Sequence, residues 1–176
     1  DMTTRGRNIS VIFGDGAGAV VMTRAENNSV GVLSSHLHSD GEHAKELSLI
    51  GPNTNRWVHE IMAENDPEDI SYYPYMNGQF VFKHAINRFA EVIQEGLDAT
   101  GWKKEEIGIL IPHQANLRIA QMVQRKFQLS DAQVFNNIER YGNTTAASIP
   151  IALTEAWEEG KIVSGTKVVL AAFGSG

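Results

Sequence analysis

Residues 107–119, IGILIPHQANLRI, decide the fold of this chain. Ile107 to Ile111 form a short apolar run bounded by Glu105-Glu106 and Pro112, which predicts a buried strand. After Asn116 the apolar positions change to helical spacing, so His113 falls at a strand-to-helix turn. In an open α/β sheet the crevice beyond the carboxyl ends of strands is where ligands bind, because side chains there are presented without being packed over. A histidine in that place is a candidate acid, base or hydrogen-bond donor.

Working outward, the next helix runs from about Asn116 to Phe127 and buries Ile119, Ala120, Val123 and Phe127. Arg118 and Arg125 then share an exposed face with Lys126 beside them, either as a solvated edge or as a dock for an acidic partner. Upstream, Phe82, Ile86, Phe89, Ile93 and Leu97 make the apolar stripe of a long helix that stops at Gly101. The aromatics of the stripe are core residues, and only those near the helix start, such as Met76 and Phe82, could also line a pocket. Downstream, Ala132–Phe135 reads as a short strand. Asn143 and Thr144 are N-cap types for a helix striped by Ile149, Leu153, Ala156 and Trp157, with Pro150 forcing an irregular first turn or a kink. Small residues from Thr144 to Ser148 would let another backbone come close. Lys167–Phe173 is the last strand, running into Gly174-Ser175-Gly176.

At the amino end, residues 8–24, NISVIFGDGAGAVVMTR, read as strand, glycine turn, strand. A phosphate loop must open a helix, and β-branched Val20-Val21 follow instead, so Gly14, Gly16 and Gly18 serve a tight turn or close backbone approach. Residues 30–38, VGVLSSHLH, have strand character. Strand alternation would put His36 and His38 on one face; a metal set would need His43 or Asp40 as a third partner, and hydrogen-bonded or solvated histidines are the preferred reading. Residues 51–74 lack periodic pattern and are rich in Pro, Asn and Asp, as a surface excursion would be. Strand and helix alternate from Val30 onward, which implies an α/β layered fold with a mixed sheet.

The 176 residues carry 15 Lys and Arg against 21 Asp and Glu, for a formal net charge of −6. No broad basic field exists, so nucleic acid is not an expected partner. There is no cysteine, which excludes a disulfide framework, thiolate metal ligands and a cysteine nucleophile within this chain. No apolar run approaches membrane-spanning length, so no membrane association is expected and a soluble cytoplasmic protein is the default. The abrupt start at Asp1 and the stop just after a strand-like run lead to the expectation of a piece of a longer protein.

FGDGAGA, HSDG, MNGQFVFKHA, PHQAN, YGNTTAAS and AFGSG, in this order and spacing, resemble 3-oxoacyl-[acyl-carrier-protein] synthase III of the thiolase superfamily over nearly the whole chain. The resemblance implies a thiolase-like fold of two similar halves, each with a five-stranded mixed sheet between helices. Residues 1–25 would hold the last strand region of the amino-terminal half, and 26–176 the carboxyl-terminal half without its final strand. It implies decarboxylative condensation of an acyl-coenzyme A primer with malonyl-acyl-carrier-protein, initiating fatty-acid synthesis, by a Cys-His-Asn site. The matching positions are His113 and Asn143, and the cysteine has no counterpart here.

The same resemblance assigns backbone N–H donors to Gly174 and Ser175. Met76, Gln79, Phe82, Asn116, Arg118 and Phe173 would contact coenzyme A or the carrier protein. No metal and no cofactor beyond the thioester substrates is implied, and the assembly would be a homodimer. Gln79 stands where the best-known members have Asn, and Ser175 interrupts the final glycine cluster; a backbone donor tolerates the second change. The alternatives are a related synthase making a quinolone, polyketide or ketone, and a non-catalytic partner subunit.

Overall fold

The structure, a computed structural model, describes residues 11–25, 27, 29–48 and 74–175. Two compact units divide it: Phe13–His38 with Phe82–Phe173, and the described parts of Asp1–Ile12, Ser39–Val81 and Gly174–Gly176.

The larger unit is built on β3 (Ile109–Pro112), every residue of which is buried. It pairs in parallel with β4 (Val168–Ala171), Ile109 opposite Val168 and Pro112 opposite Ala171. A parallel bridge joins Leu110 to Val134 on the other side. Side chains of β3 alternate between two cores. Leu110 joins Phe89, Ile93, Leu97, Ile119, Val123 and Phe127, whereas Ile109 and Ile111 join Phe135, Ala152 and Ala156. Helices thus cover both faces, which is why the strand reads as a continuous apolar run and not as an alternating one.

Those helices are α1 (Gly78–Thr100), α2 (Leu117–Phe127), the single-turn α3 (Ile138–Tyr141) and α4 (Ser148–Glu158). α1 buries Ala85, Phe89, Ala90, Ile93 and Leu97, while Phe82 and Ile86 of the expected stripe are half-buried against the same core, and the helix ends at Gly101, whose φ of 68° suits a residue without a side chain. Asn116 caps α2, its Oδ1 accepting from Arg118 N–H at 2.9 Å. α2 buries Ile119, Ala120, Val123 and Phe127 as its spacing predicts.

Some expectations are corrected. Residues 11–24 form no strand beyond a bridge at Phe13, and Val30–His38 forms no ladder. Val20, Val21, Val30 and Val32 are exposed, with no partner strand beside them among the described residues, so propensity alone gives no ladder. Residues 131–133 form a 3-10 turn, leaving Val134 as a bridge where a strand was expected. In α4 the buried line runs Ser148, Ala152, Ala156, and Trp157 is 69% exposed. One residue beyond Ala156 turns about 100° around the helix, off the buried face. α4 begins at Ser148 after a 3-10 turn at Thr145–Ala147, so Pro150 sits in the first helical turn, where its missing N–H breaks no helical bond.

His36 and His38 meet one side chain, though no strand sets them on a common face. Their common partner is Glu95 of α1, whose Oε2 lies 3.5 Å from His36 Nδ1 and 2.7 Å from His38 Nε2. In the smaller unit β1 (Leu47–Ser48) and β2 (Tyr75–Met76) pair antiparallel, Leu47 opposite Met76. There Asp40, Glu42 and His43 bring one potential ligand atom each within 4.8 Å of one another. The surface excursion expected at 51–74 lies outside the described residues except for Pro74.

Phe89, 1% exposed at the contact of α1 with β3, is the test of this core. Phe89→Ala should lower the unfolding free energy by about 3–5 kcal/mol in denaturant titration, as a core cavity does. A loss below about 1 kcal/mol would mean that α1 is not packed as described.

Candidate functional site

β3 ends in Pro112, and the next backbone N–H, that of His113, still donates to Ala171 O of β4 at 2.8 Å. The His113 backbone is therefore held by the sheet while its side chain lies beyond it. Gln114 follows, 3% exposed. Its amide satisfies all its capacity: Nε2 donates to Pro112 O at 2.7 Å and to Phe135 O at 3.4 Å, and Oε1 accepts from Asn137 N–H at 3.0 Å and Ile138 N–H at 3.2 Å. A buried amide left with open capacity costs free energy, so this residue ties the end of β3 to the start of α3.

α3 leads to Gly142, whose backbone (φ 69°, ψ −161°) is one that glycine alone adopts readily, and then to Asn143. Asn143 is 8% exposed, and its Oδ1 accepts from Thr145 N–H at 2.9 Å. With the oxygen engaged, the amide nitrogen is the end left to meet a ligand. Thr145 takes φ 51°, unusual for a threonine, so the turn holding Asn143 carries backbone strain. Ser148, 2% exposed, closes the circuit: its Oγ lies 2.6 Å from His113 Nδ1 and accepts from Gln114 N–H at 3.3 Å. The segments PHQAN and GNTTAAS, distant in sequence, are thereby joined.

Two further supports hold this turn. Glu155 of α4 accepts from Asn137 Nδ2 at 2.7 Å, from Arg140 Nη2 at 2.7 Å and from the Tyr141 hydroxyl. Burial raises the Glu155 pKa, but the hydrogen bonds from Tyr141 and Asn137 and the charge of Arg140 outweigh it, and the carboxyl ends below its ordinary value. On the other flank Gly14 N–H donates to Asn143 O at 3.0 Å. A side chain at Gly14 would collide with the Tyr141 carbonyl, and one at Gly18 with Pro150; at Gly16 a Cβ would stand 3.0 Å from Thr144 Cβ and from Ile151 Cδ1. Close approach, one of the two roles expected from the sequence, is what these glycines serve.

His113 is desolvated by its surroundings, and burial pushes its pKa below the ordinary imidazole value. It therefore stands neutral at neutral pH. Neither it nor Asn143 needs to ionise to donate a hydrogen bond, so the pair suits an oxygen on which negative charge develops.

Of the other residues singled out from sequence, Phe82 and Phe173 pack against the core cluster around Phe89, and Asn116 and Arg118 lie exposed at the start of α2 in the same unit as His113. Met76, Gln79, Gly174 and Ser175 belong to the smaller unit; Met76 is half-buried in β2 and the other three are exposed. Gln114, Ser148 and Glu155 were not picked out as site residues from sequence. The signal for Gln114 was a long polar side chain in a run otherwise buried; a serine among small residues and a glutamate on an amphipathic helix carry no comparable signal.

Residues 97–176 match the family model described as 3-Oxoacyl-[acyl-carrier-protein (ACP)] synthase III C terminal, and residues 1–41 match the model of 3-Oxoacyl-[acyl-carrier-protein (ACP)] synthase III. The beta-ketoacyl-[acyl-carrier-protein] synthase III of Blochmanniella pennsylvanica is 42% identical over 175 residues, covering 99% of this chain and 51% of the relative. The crystal structure of the Aquifex aeolicus 3-oxoacyl-[acyl-carrier-protein] synthase III superposes with a TM-score of 0.81 at 39% identity, covering 96% of this chain and 48% of that one. For the Thermus thermophilus synthase III structure the TM-score is 0.66 at 38% identity, over 78% of this chain and 40% of that one. This chain belongs to the 3-oxoacyl-[acyl-carrier-protein] synthase III family and has its thiolase-like α/β fold. It spans about half the length of the curated relatives it matches.

The depressed pKa of His113 has a stability consequence. The unfolded chain takes up the imidazole proton near pH 6.5, whereas the folded chain resists it until lower pH, so the unfolded state binds more protons below that point and stability falls as the pH drops. His113→Gln should remove this part of the acid loss, giving a flatter stability profile below about pH 6.5. An unchanged profile, from denaturant titrations at stepped pH, would mean that burial does not depress His113.

Proposed function

We propose that this chain supplies the His/Asn part of a Cys-His-Asn site for decarboxylative Claisen condensation, joining a short acyl primer from acyl-coenzyme A to malonyl-acyl-carrier-protein to form 3-oxoacyl-acyl-carrier-protein and start fatty-acid synthesis. The observation that carries the reading is the linkage of the Asn143 turn to His113 through Ser148, in a chain of this family. The cysteine that takes the primer would come from outside these 176 residues, which contain none.

In the reaction the malonyl C–C bond breaks, carbon dioxide leaves, and the electron pair moves onto the thioester as an enolate. The enolate carbon then attacks the acyl-cysteine carbonyl and the thiolate departs. His113 and Asn143 would donate to the thioester oxygen during decarboxylation, each worth about 100- to 1000-fold. Gly174 and Ser175 would donate backbone N–H groups to the oxygen of the acyl-cysteine. Met76, Gln79, Phe82, Asn116 and Phe173 would line the path of the thiol arm, and Arg118 would meet the carrier.

Coenzyme A and carrier-protein thioesters would be the substrates, with no other cofactor and no metal. A homodimer in the cytoplasm is the proposed setting; among the described residues no helix is long and apolar enough to cross a membrane. The division proposed for the chain remains 1–25 with the amino-terminal half and 26–176 with the carboxyl-terminal half.

In the full-length protein, His113→Ala or Asn143→Ala should cut malonyl decarboxylation by roughly 100-fold or more while leaving substantial acyl transfer to the cysteine. Both donors serve one oxygen, so the double variant should lose less than the product of the single losses. Carbon dioxide release measured beside single-turnover acyl labelling decides; loss of labelling with decarboxylation intact would exchange the two roles.

Docking of the carrier has its own test. Arg118 and Arg125 are exposed on α2, and reversing both charges should raise the KM for malonyl-carrier protein, most at low salt. Unchanged kinetics at low salt would remove α2 from the carrier contact.

A further inference from the structure

The Ser148 hydroxyl has one proton and sits between two nitrogens. Gln114 N–H, 3.3 Å away, can only donate, so Oγ is the acceptor there. Between Oγ and His113 Nδ1, 2.6 Å apart, a single proton lies on one side or the other. If it lay on Nδ1, Oγ would accept twice, and its own proton would have no acceptor among the described residues, in a side chain 2% exposed. A buried donor without a partner costs about 1–3 kcal/mol. If the Ser148 proton points at Nδ1, all three groups are satisfied.

From this we infer that Ser148 is a positioning residue whose hydroxyl donates to Nδ1 of His113 and holds the neutral imidazole in the tautomer that carries its proton on Nε2. Nε2 makes no hydrogen bond to the described residues, so its N–H is the donor presented to a ligand. The inference rests on the proposed role of His113 as a neutral donor and names what selects the proton's place. Protonating Nδ1 as well would reverse the Ser148 bond and strand the hydroxyl proton, so the contact also opposes the imidazolium. Ser148 thus reaches the reaction through His113 and not by touching substrate.

The experiment is nitrogen-detected imidazole NMR on the full-length protein labelled at histidine, recorded at roughly pH 8, above the ordinary imidazole pKa. The parent should show His113 with Nε2 protonated and Nδ1 as a bare acceptor. Ser148→Ala should lose that preference and show mixed or inverted tautomers, and Ser148→Cys, a weaker donor, should fall between. Carbon dioxide release should fall roughly 10- to 100-fold in Ser148→Ala, by analogy with the loss on removing the partner that orients a metal-ligating histidine. A parent His113 protonated on Nδ1 overturns the inference without any variant being made, and so does an Nε2–H tautomer unchanged in both variants. Should the tautomer shift as expected while decarboxylation stays at the parent rate, the inference stands and the role proposed for His113 falls.

Discussion

A strand buried on both faces leaves little choice about where its polar groups can go. In β3 the side chains are committed alternately to two apolar cores, and the backbone to β4 and to the bridge at Val134. Its carboxyl end is the first place where a polar side chain can be accommodated, and the two residues there divide the work. His113 lies beyond the sheet with one ring nitrogen engaged, while Gln114 turns inward and spends its whole hydrogen-bonding capacity on backbone groups of β3, of Phe135 and of the entrance to α3. A half-satisfied amide at that depth would be destabilising, so the loop preceding Asn143 cannot drift without opening those bonds.

Rigidity around Asn143 comes from three sides at once. Gln114 holds the start of α3, Glu155 gathers Asn137, Arg140 and Tyr141 onto α4, and Gly14 brings a backbone N–H to the Asn143 carbonyl. The left-handed Thr145 and the glycine-specific backbone of Gly142 show that the turn is held in a shape that ordinary propensity would not choose. The strain of about 1–3 kcal/mol at Thr145 persists only where neighbours over-determine the conformation, and these contacts do so. Such stiffness matters for a donor, because a hydrogen bond aimed in advance at developing charge needs no reorganisation when the charge appears.

The electrostatic character of the pair follows from the same packing. Burial keeps the imidazole neutral, and an amide has no ionised form near neutral pH, so the site offers polarity without fixed charge. The exposed arginines of α2 lie in the same unit, in a chain whose formal total is −6. Local charge and net charge are therefore separate quantities here, and only the local one would bear on the acidic partner proposed for Arg118.

The sequence by itself determined the alternation of strands and helices in the second part of the chain. It determined the extents of α1 and α2 to within a few residues, the strand expected at 107–111 and found at 109–112, and the placing of His113 at its end and of Asn143 ahead of α4. These are local properties: apolar period, capping residues and glycine stops act between residues a few positions apart. It misjudged Trp157 and the strands expected within 8–24, at 30–38 and at 132–135, because burial and ladder pairing depend on what lies opposite, which local pattern does not contain. Only the tertiary structure decided that Ser148 meets His113 across 35 positions, that Gln114 reaches Ile138 across 24, and that Glu155 collects three donors. A serine in a run of small residues looks the same whether it faces solvent or an imidazole. The partner of a buried hydrogen-bonding group is set by the folding of distant segments onto one another, and a sequence period of two or 3.6 carries no record of it.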